Sequence, residues 1–134
     1  MYSVLGGIII YGKKEEISER PPFIPGTPEE LDAVAAAPSN HEVLIENEKV
    51  RVVRVTIEPG QLEKMHTHKY HSVFIVSSLP EINYYDENMR KVKLPGRRKP
   101  GVPRYLEPEG VHAVENVGNK LFDGIRIELK EEMH

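Results

Sequence analysis

Four of the six histidines in this 134-residue chain, His66, His68, His71 and His112, are the side chains whose type and spacing could do chemistry. In an extended strand, residues two apart project from the same face about 7 Å apart along the chain, so His66 and His68 can aim both imidazoles at one point. Neutral imidazole binds divalent transition metals through bonds of about 2.0–2.1 Å. Two such ligands hold an ion weakly, and the candidate for a third is His112, from a distant strand. Taken alone, a His-x-His pair is equally compatible with a solvated or structural role. The remaining histidines, His41 and His134, read as isolated, and Glu63 and Glu109, which border these histidines, read as exposed solubilising side chains. Zero cysteines exclude disulfides, thiolate metal sites, iron–sulfur clusters and a cysteine nucleophile, leaving histidine and carboxylate for any chemistry.

The elements that must position these residues are β-strands. From Glu42 onward the chain shows short apolar-alternating runs separated by turn residues. In Val50–Glu58, Val53, Val55 and Ile57 face one way and Arg54, Thr56 and Glu58 the other, until Pro59-Gly60 breaks the run. Similar runs occur at Ser72–Leu79, Ile82–Tyr85, Arg104–Leu106, Val111–Val117 and Leu121–Leu129, the last with Leu121, Ile125, Ile127 and Leu129 on one face. The pattern predicts an all-β, closed or double-sheet antiparallel architecture. Ahead of it, Ile8-Ile9-Ile10 are β-branched and predict a strand, paired within its own subunit or added to a partner's sheet edge. Residues 13–26 are a connecting segment. Thr27-Pro28-Glu29-Glu30 has the cap, proline and glutamate of a helix start, and Pro38 ends that short helix. The expected organisation is an arm and helix over residues 1–40 and a barrel over 41–134.

Charge narrows the partners. With 18 Lys and Arg against 21 Asp and Glu, and a pI near 6.1, the chain has no general attraction for nucleic acid or anionic lipid. The apolar run Met1–Tyr11 is too short to span a bilayer and lacks the flanks of a signal peptide, which predicts a cytoplasmic protein. Lys91, Lys93, Arg97, Arg98, Lys99 and Arg104 fall in one stretch without an acid. Such a stretch is either a solvated loop or a basic rim that draws in a carboxylate, with Arg104 and Tyr105 best placed to touch it.

Two motifs resemble those of the cupin superfamily. Gly60, five residues, His66-Thr67-His68 and three residues to Ser72 are similar to the first cupin motif; Pro108-Glu109-Gly110-Val111-His112, followed by Asn116, is similar to the second. The likeness covers Val43 to Leu129. It implies a small single-domain, antiparallel double-stranded β-helix (cupin or jelly-roll barrel) with a metal at its centre held by His66, His68 and His112. Three departures stand out. Ser72 occupies the position of the family's carboxylate ligand, Leu79-Pro80 replaces a glycine, and one residue rather than two separates Gly110 from His112, although Gly101 to His112 keeps the usual total of eleven.

Tyr70, His71, Ser72, Arg104 and Tyr105 are the residues expected to shape the pocket, with His71 able to replace part of the missing carboxylate. A neutral three-histidine site leaves the ion its full charge and open positions, which favours a bidentate anionic or enolate-like ligand. Iron, zinc, nickel, manganese and copper all accept imidazole. The expected function is a metal-dependent small-molecule enzyme acting on a small carboxylate or diketone, in a chain expected to be a homodimer; the resemblance to dioxygenase cupins with three histidines extends to ligand type and carries over no reaction. The other reading is a non-catalytic binding or sensory barrel for a small acid.

Overall fold

The structure, a computed structural model, describes residues 19–94 and 99–130. The strand expected at Ile8–Ile10, the loop cations Arg97 and Arg98, and His134 lie outside the described residues.

Among the described residues eight strands form: β1 (His41–Glu46), β2 (Val50–Ile57), β3 (His66–His68), β4 (His71–Ser78), β5 (Ile82–Asp86), β6 (Arg104–Leu106), β7 (Glu109–Asn116) and β8 (Phe122–Leu129). They make a five-stranded sheet in the order β1-β2-β8-β4-β6 and a three-stranded sheet in the order β3-β7-β5, with every pairing antiparallel. An inner and an outer row alternate along β2 and β8. On β2 the inner row is Arg51, Val53, Val55 and Ile57, as the alternation requires from Val53 onward.

Register across β2, β8 and β4 sorts the inner face by polarity. Arg51 and Ser72 pair with Glu128, Val53 and Phe74 with Arg126, Val55 and Val76 with Gly124, and Ile57 with Phe122. The interior therefore has a charged end and an apolar end, the latter built on Val53, Val55, Ile57 and Phe122. Phe74 can lie across β8 because residue 124 is glycine: a Cβ there would stand 2.8 Å from the Phe74 ring.

The expected β8 apolar face exists but points outward. Phe122, Gly124, Arg126 and Glu128 are buried, while Ile125, Ile127 and Leu129 are half-buried on the outer surface. The helix predicted from Thr27 is also different. A single 3₁₀ turn, Glu29–Leu31, is followed by one α-helical turn, α1 (Ala33–Ala36), and Asp32 rather than Thr27 accepts the capping hydrogen bond, from Val34 N–H at 3.2 Å. Tertiary contacts override the local signal, because Asp32 is clamped by Arg51 at 3.0 Å and its backbone bridges Thr67 of β3. Among the described residues, no helix is long and apolar enough to cross a membrane.

Candidate metal centre

β3 and β7 place His66 directly opposite His112 in the antiparallel register. Both residues of the His-x-His pair point inward, and the three rings meet: centroids are 4.5 Å apart for His66 and His112, 5.0 Å for His66 and His68, and 5.3 Å for His68 and His112. The single residue between Gly110 and His112 leaves His112 facing the cavity, 2% exposed. His41, at the start of β1, joins them at 4.7 Å from His66 and 5.6 Å from His68. It is not isolated. Its strand abuts neither motif in sequence, so no spacing could connect it to them.

Backbone carbonyls fix three of the four rings. Nδ1 of His66 bonds to Lys64 O at 2.7 Å, Nδ1 of His112 to Gly110 O at 2.7 Å and Nδ1 of His41 to Ala37 O at 2.9 Å. With Nδ1–H donating, Nε2 keeps its lone pair, the arrangement that outer partners impose on metal-ligating histidines. Burial disfavours protonation of all four, pushing His41 down to about 4 and the others below the ordinary histidine value. Neutral imidazole is the form that binds a metal. Two overlapping donor groups result, His41 with His66 and His68, and His68 with Glu109 and His112, each with ligand atoms within 4.8 Å of one another. The donor set thus suits a borderline ion of the imidazole-binding class.

Glu63 and Glu109 are buried, at 4% and 3% exposure, and belong to the centre rather than to the solvent. Glu109 accepts from Arg126 at 2.7 Å and from the Tyr84 hydroxyl at 2.6 Å, with Arg20 at 3.5 Å. Burial would raise its pKa, but these partners, Arg126 foremost, hold it well below the usual carboxylate range. Glu63 accepts from Val114 N–H at 3.0 Å and lies 3.6 Å from Nε2 of His41 and 3.9 Å from Nε2 of His66. Burial pushes its carboxyl up to about 8. Tyr84 stacks on His112, with planes 3° apart and centroids 4.7 Å apart.

A cavity of about 70 Å³ opens in front of these side chains. That exceeds the roughly 10–15 Å³ one water needs, so several waters or a small ligand fit. The histidines form its buried end, the exposed residues Lys99 and Val102 its outer end, and Val55, Ile57, Phe74 and Phe122 part of its wall.

Of the five expected pocket residues, only Arg104 lines this cavity. Tyr70 packs outside it under Arg51 and Lys69, whose charged groups lie 5.7 and 5.2 Å from the ring centroid. His71 and Tyr105 stack on each other on the outer surface, their hydrogen bond 2.7 Å long, so His71 supplies nothing to the cluster. Ser72 is completely buried with its hydroxyl unpartnered, beside Glu128 rather than on the cavity wall. Asn116 of the second motif is structural: it bonds to Ile57 O at 2.9 Å and Lys120 O at 2.8 Å.

No family model and no curated protein matches the chain. Solved structures do. The chain is similar to a cupin domain from Bordetella pertussis Tohama I, with 21% identity over 84% of this chain and 98% of that one and a TM-score of 0.59. It is also similar to a conserved protein with a double-stranded β-helix domain from Klebsiella pneumoniae subsp. pneumoniae MGH 78578, with 23% identity over 70% and 74% of the two chains and a TM-score of 0.51. The paired antiparallel sheets and these two likenesses together give the chain a double-stranded β-helix, the fold of the cupin domain it resembles.

Proposed function

We propose that this chain is a metal-dependent enzyme for a small anionic metabolite, with His66, His68 and His112 holding a divalent transition ion at the buried end of the cavity. One observation supports this above the rest: three inward imidazoles, kept neutral by burial, converge across two paired strands, with two of their Nδ1 atoms tied to carbonyls. A bound ion would act as a Lewis acid and orient an oxygen-donor substrate. The chain's own residues do the rest. His66, His68 and His112 bring no charge to the ion, so an anion is attracted to it undiminished. Arg104 and Lys99 form no ion pair among the described residues and stand on the same cavity, where they favour a carboxylate or enolate. Val55, Ile57, Phe74 and Phe122 keep water from the apolar side. The reaction class in this reading is dioxygenase-like, on a small carboxylate or diketone, with iron, zinc, nickel, manganese and copper as the candidate ions. A homodimer belongs to the same reading: edge strand β1 exposes Val43, Leu44 and Ile45 in succession, a surface that pairing with a second copy would cover.

The test is elemental analysis of tag-free protein and of His68→Ala, followed by oxygen uptake with acetylacetone and with pyruvate. Near-stoichiometric metal in the wild type, lost in the variant, together with oxygen consumption is the expected result. Metal-free protein that still binds pyruvate would make the chain a binding or sensory barrel instead.

A further inference from the structure

We propose that His41 is the fourth protein ligand of the metal centre, so that the ion is held by four neutral imidazoles and no carboxylate. The inference rests on the metal-binding reading above and adds to it a residue outside both sequence motifs. His41 is 4% exposed, its Nδ1 is tied to Ala37 O, and its ring stands closer to His66 than His68 does. Its ligand nitrogen falls within 4.8 Å of those of His66 and His68. Two opposed bonds of about 2.0–2.1 Å set ligand atoms roughly 4 Å apart, so a ceiling of 4.8 Å puts the three nitrogens at the scale of one ion's coordination sphere.

The rival donors are the two buried carboxylates. Glu109 has Oε1 on Arg126 and Oε2 on the Tyr84 hydroxyl, with Arg20 beside it. Ligation would take it from three partners and leave Arg126 buried without its carboxylate. Glu63 spends Oε1 on Val114 N–H at 3.0 Å and belongs to neither donor group whose ligand atoms lie within 4.8 Å of one another, whereas His41 belongs to one. His41 has no competing partner on Nε2 except Glu63 itself, at 3.6 Å. Ser72, at the position where the resembled family has its carboxylate, lies off the cavity wall beside Glu128, whereas His41 lines the cavity.

Co(II) affinity of the tag-free protein, measured by chelator competition, should fall at least about tenfold in His41→Gly, since removing mere outer partners of metal ligands already costs about 10–100-fold. Added imidazole should restore most of it. Glu63→Gln should stay within about threefold of the wild type. Pulsed EPR of the wild-type Cu(II) form, which needs no variant to fold, should count four imidazoles. Three imidazoles in the wild type, unchanged affinity in His41→Gly, or a loss in Glu63→Gln that exceeds it would overturn the assignment while leaving the metal centre standing. A wild type that binds neither ion would overturn both.

Discussion

Oε2 of Glu128 lies 3.6 Å from Nδ1 of His68, the one imidazole of the four whose Nδ1 has no carbonyl partner. Behind Glu128 the contacts continue: Arg51 Nε donates to its other oxygen, Arg51 also clamps Asp32 at 3.0 Å, and Asp32 caps α1. A helix cap is thereby linked to the histidine cluster through one arginine and one glutamate. Carboxylates in this position orient metal-ligating histidines, so Glu128→Gln should weaken Co(II) binding about 10–100-fold while the far-ultraviolet spectrum stays unchanged. Equal affinities would reduce Glu128 to a counter-ion for Arg51.

The Glu109–Arg126 pair is buried on both sides, each side chain 4% exposed. Removing one partner from such a pair leaves an uncompensated charge and costs about 3–5 kcal/mol, whereas replacing both with neutral groups costs far less. Urea unfolding of the metal-free protein should show that loss for Glu109→Gln. The double variant Glu109→Gln with Arg126→Met should recover most of it. Additive losses would mean the two groups are not coupled.

Stability of the metal-free protein should peak near pH 6.5. His41 has a folded value of about 4 against 6.5 unfolded, so its contribution is complete above 6.5 and is lost on acidification toward 4, at about 1.4 kcal/mol per pH unit. His66, His68 and His112 shift in the same direction and steepen that side. Glu63 has the opposite sign: its folded value of about 8 against 4.5 unfolded gives stability that is complete below 4.5 and declines as pH rises to 8. Glu128, raised by burial against the pull of Arg51, joins Glu63. Four histidines outweigh two glutamates below 6.5; above it only the glutamate side acts. Melting temperatures of chelator-treated protein from pH 5 to 8.5 check this, and a monotonic rise across the range would contradict it.

Arg104 is half-buried at the cavity with no carboxylate partner among the described residues, and burial together with Arg20 lowers its pKa. An anion placed there would form a charge-assisted hydrogen bond worth about 1.5–3 kcal/mol. Pyruvate binding to the metal-loaded protein, followed by calorimetry, should therefore weaken about tenfold or more in Arg104→Gln and become less sensitive to salt. Unchanged binding would move the anion site elsewhere in the cavity.

Strand alternation made the fold legible, because Val53, Val55 and Ile57 obey it and the turn residues Pro59-Gly60 mark its end. The His-x-His spacing likewise brought His66 and His68 to one face, and the downstream motif pointed to the strand that pairs with it. What stayed hidden was hidden for a physical reason. On β8 both rows are eligible for burial by different criteria, and Arg126 and Glu128 are inside only because Glu109 and Arg51 neutralise them from other strands. His41 depends in the same way on the β1–β2 pairing that carries it to the cluster. Glu63 and Glu109 look solvent-facing in sequence because nothing local announces a buried cation or an accepting backbone N–H. Tyr70, His71 and Tyr105 sit next to the motif residues in sequence or register, yet Tyr70 lies in the bend between β3 and β4 and the pleat turns His71 and Tyr105 outward.

Residue 110 has no side chain because the backbone of Pro22 occupies its place: a Cβ would stand 2.5 Å from Pro22 O, and Gly110 N–H donates to Pro21 O at 2.7 Å. This seam holds Arg20 against Glu109 and Tyr84, so part of the cavity wall is contributed by chain that precedes every strand among the described residues. A protease cut between Arg20 and Phe23 would leave both sheets intact and yet unseal the chamber. Preparations that differ only in how much of this leading segment survives should then differ in ligand affinity while melting alike.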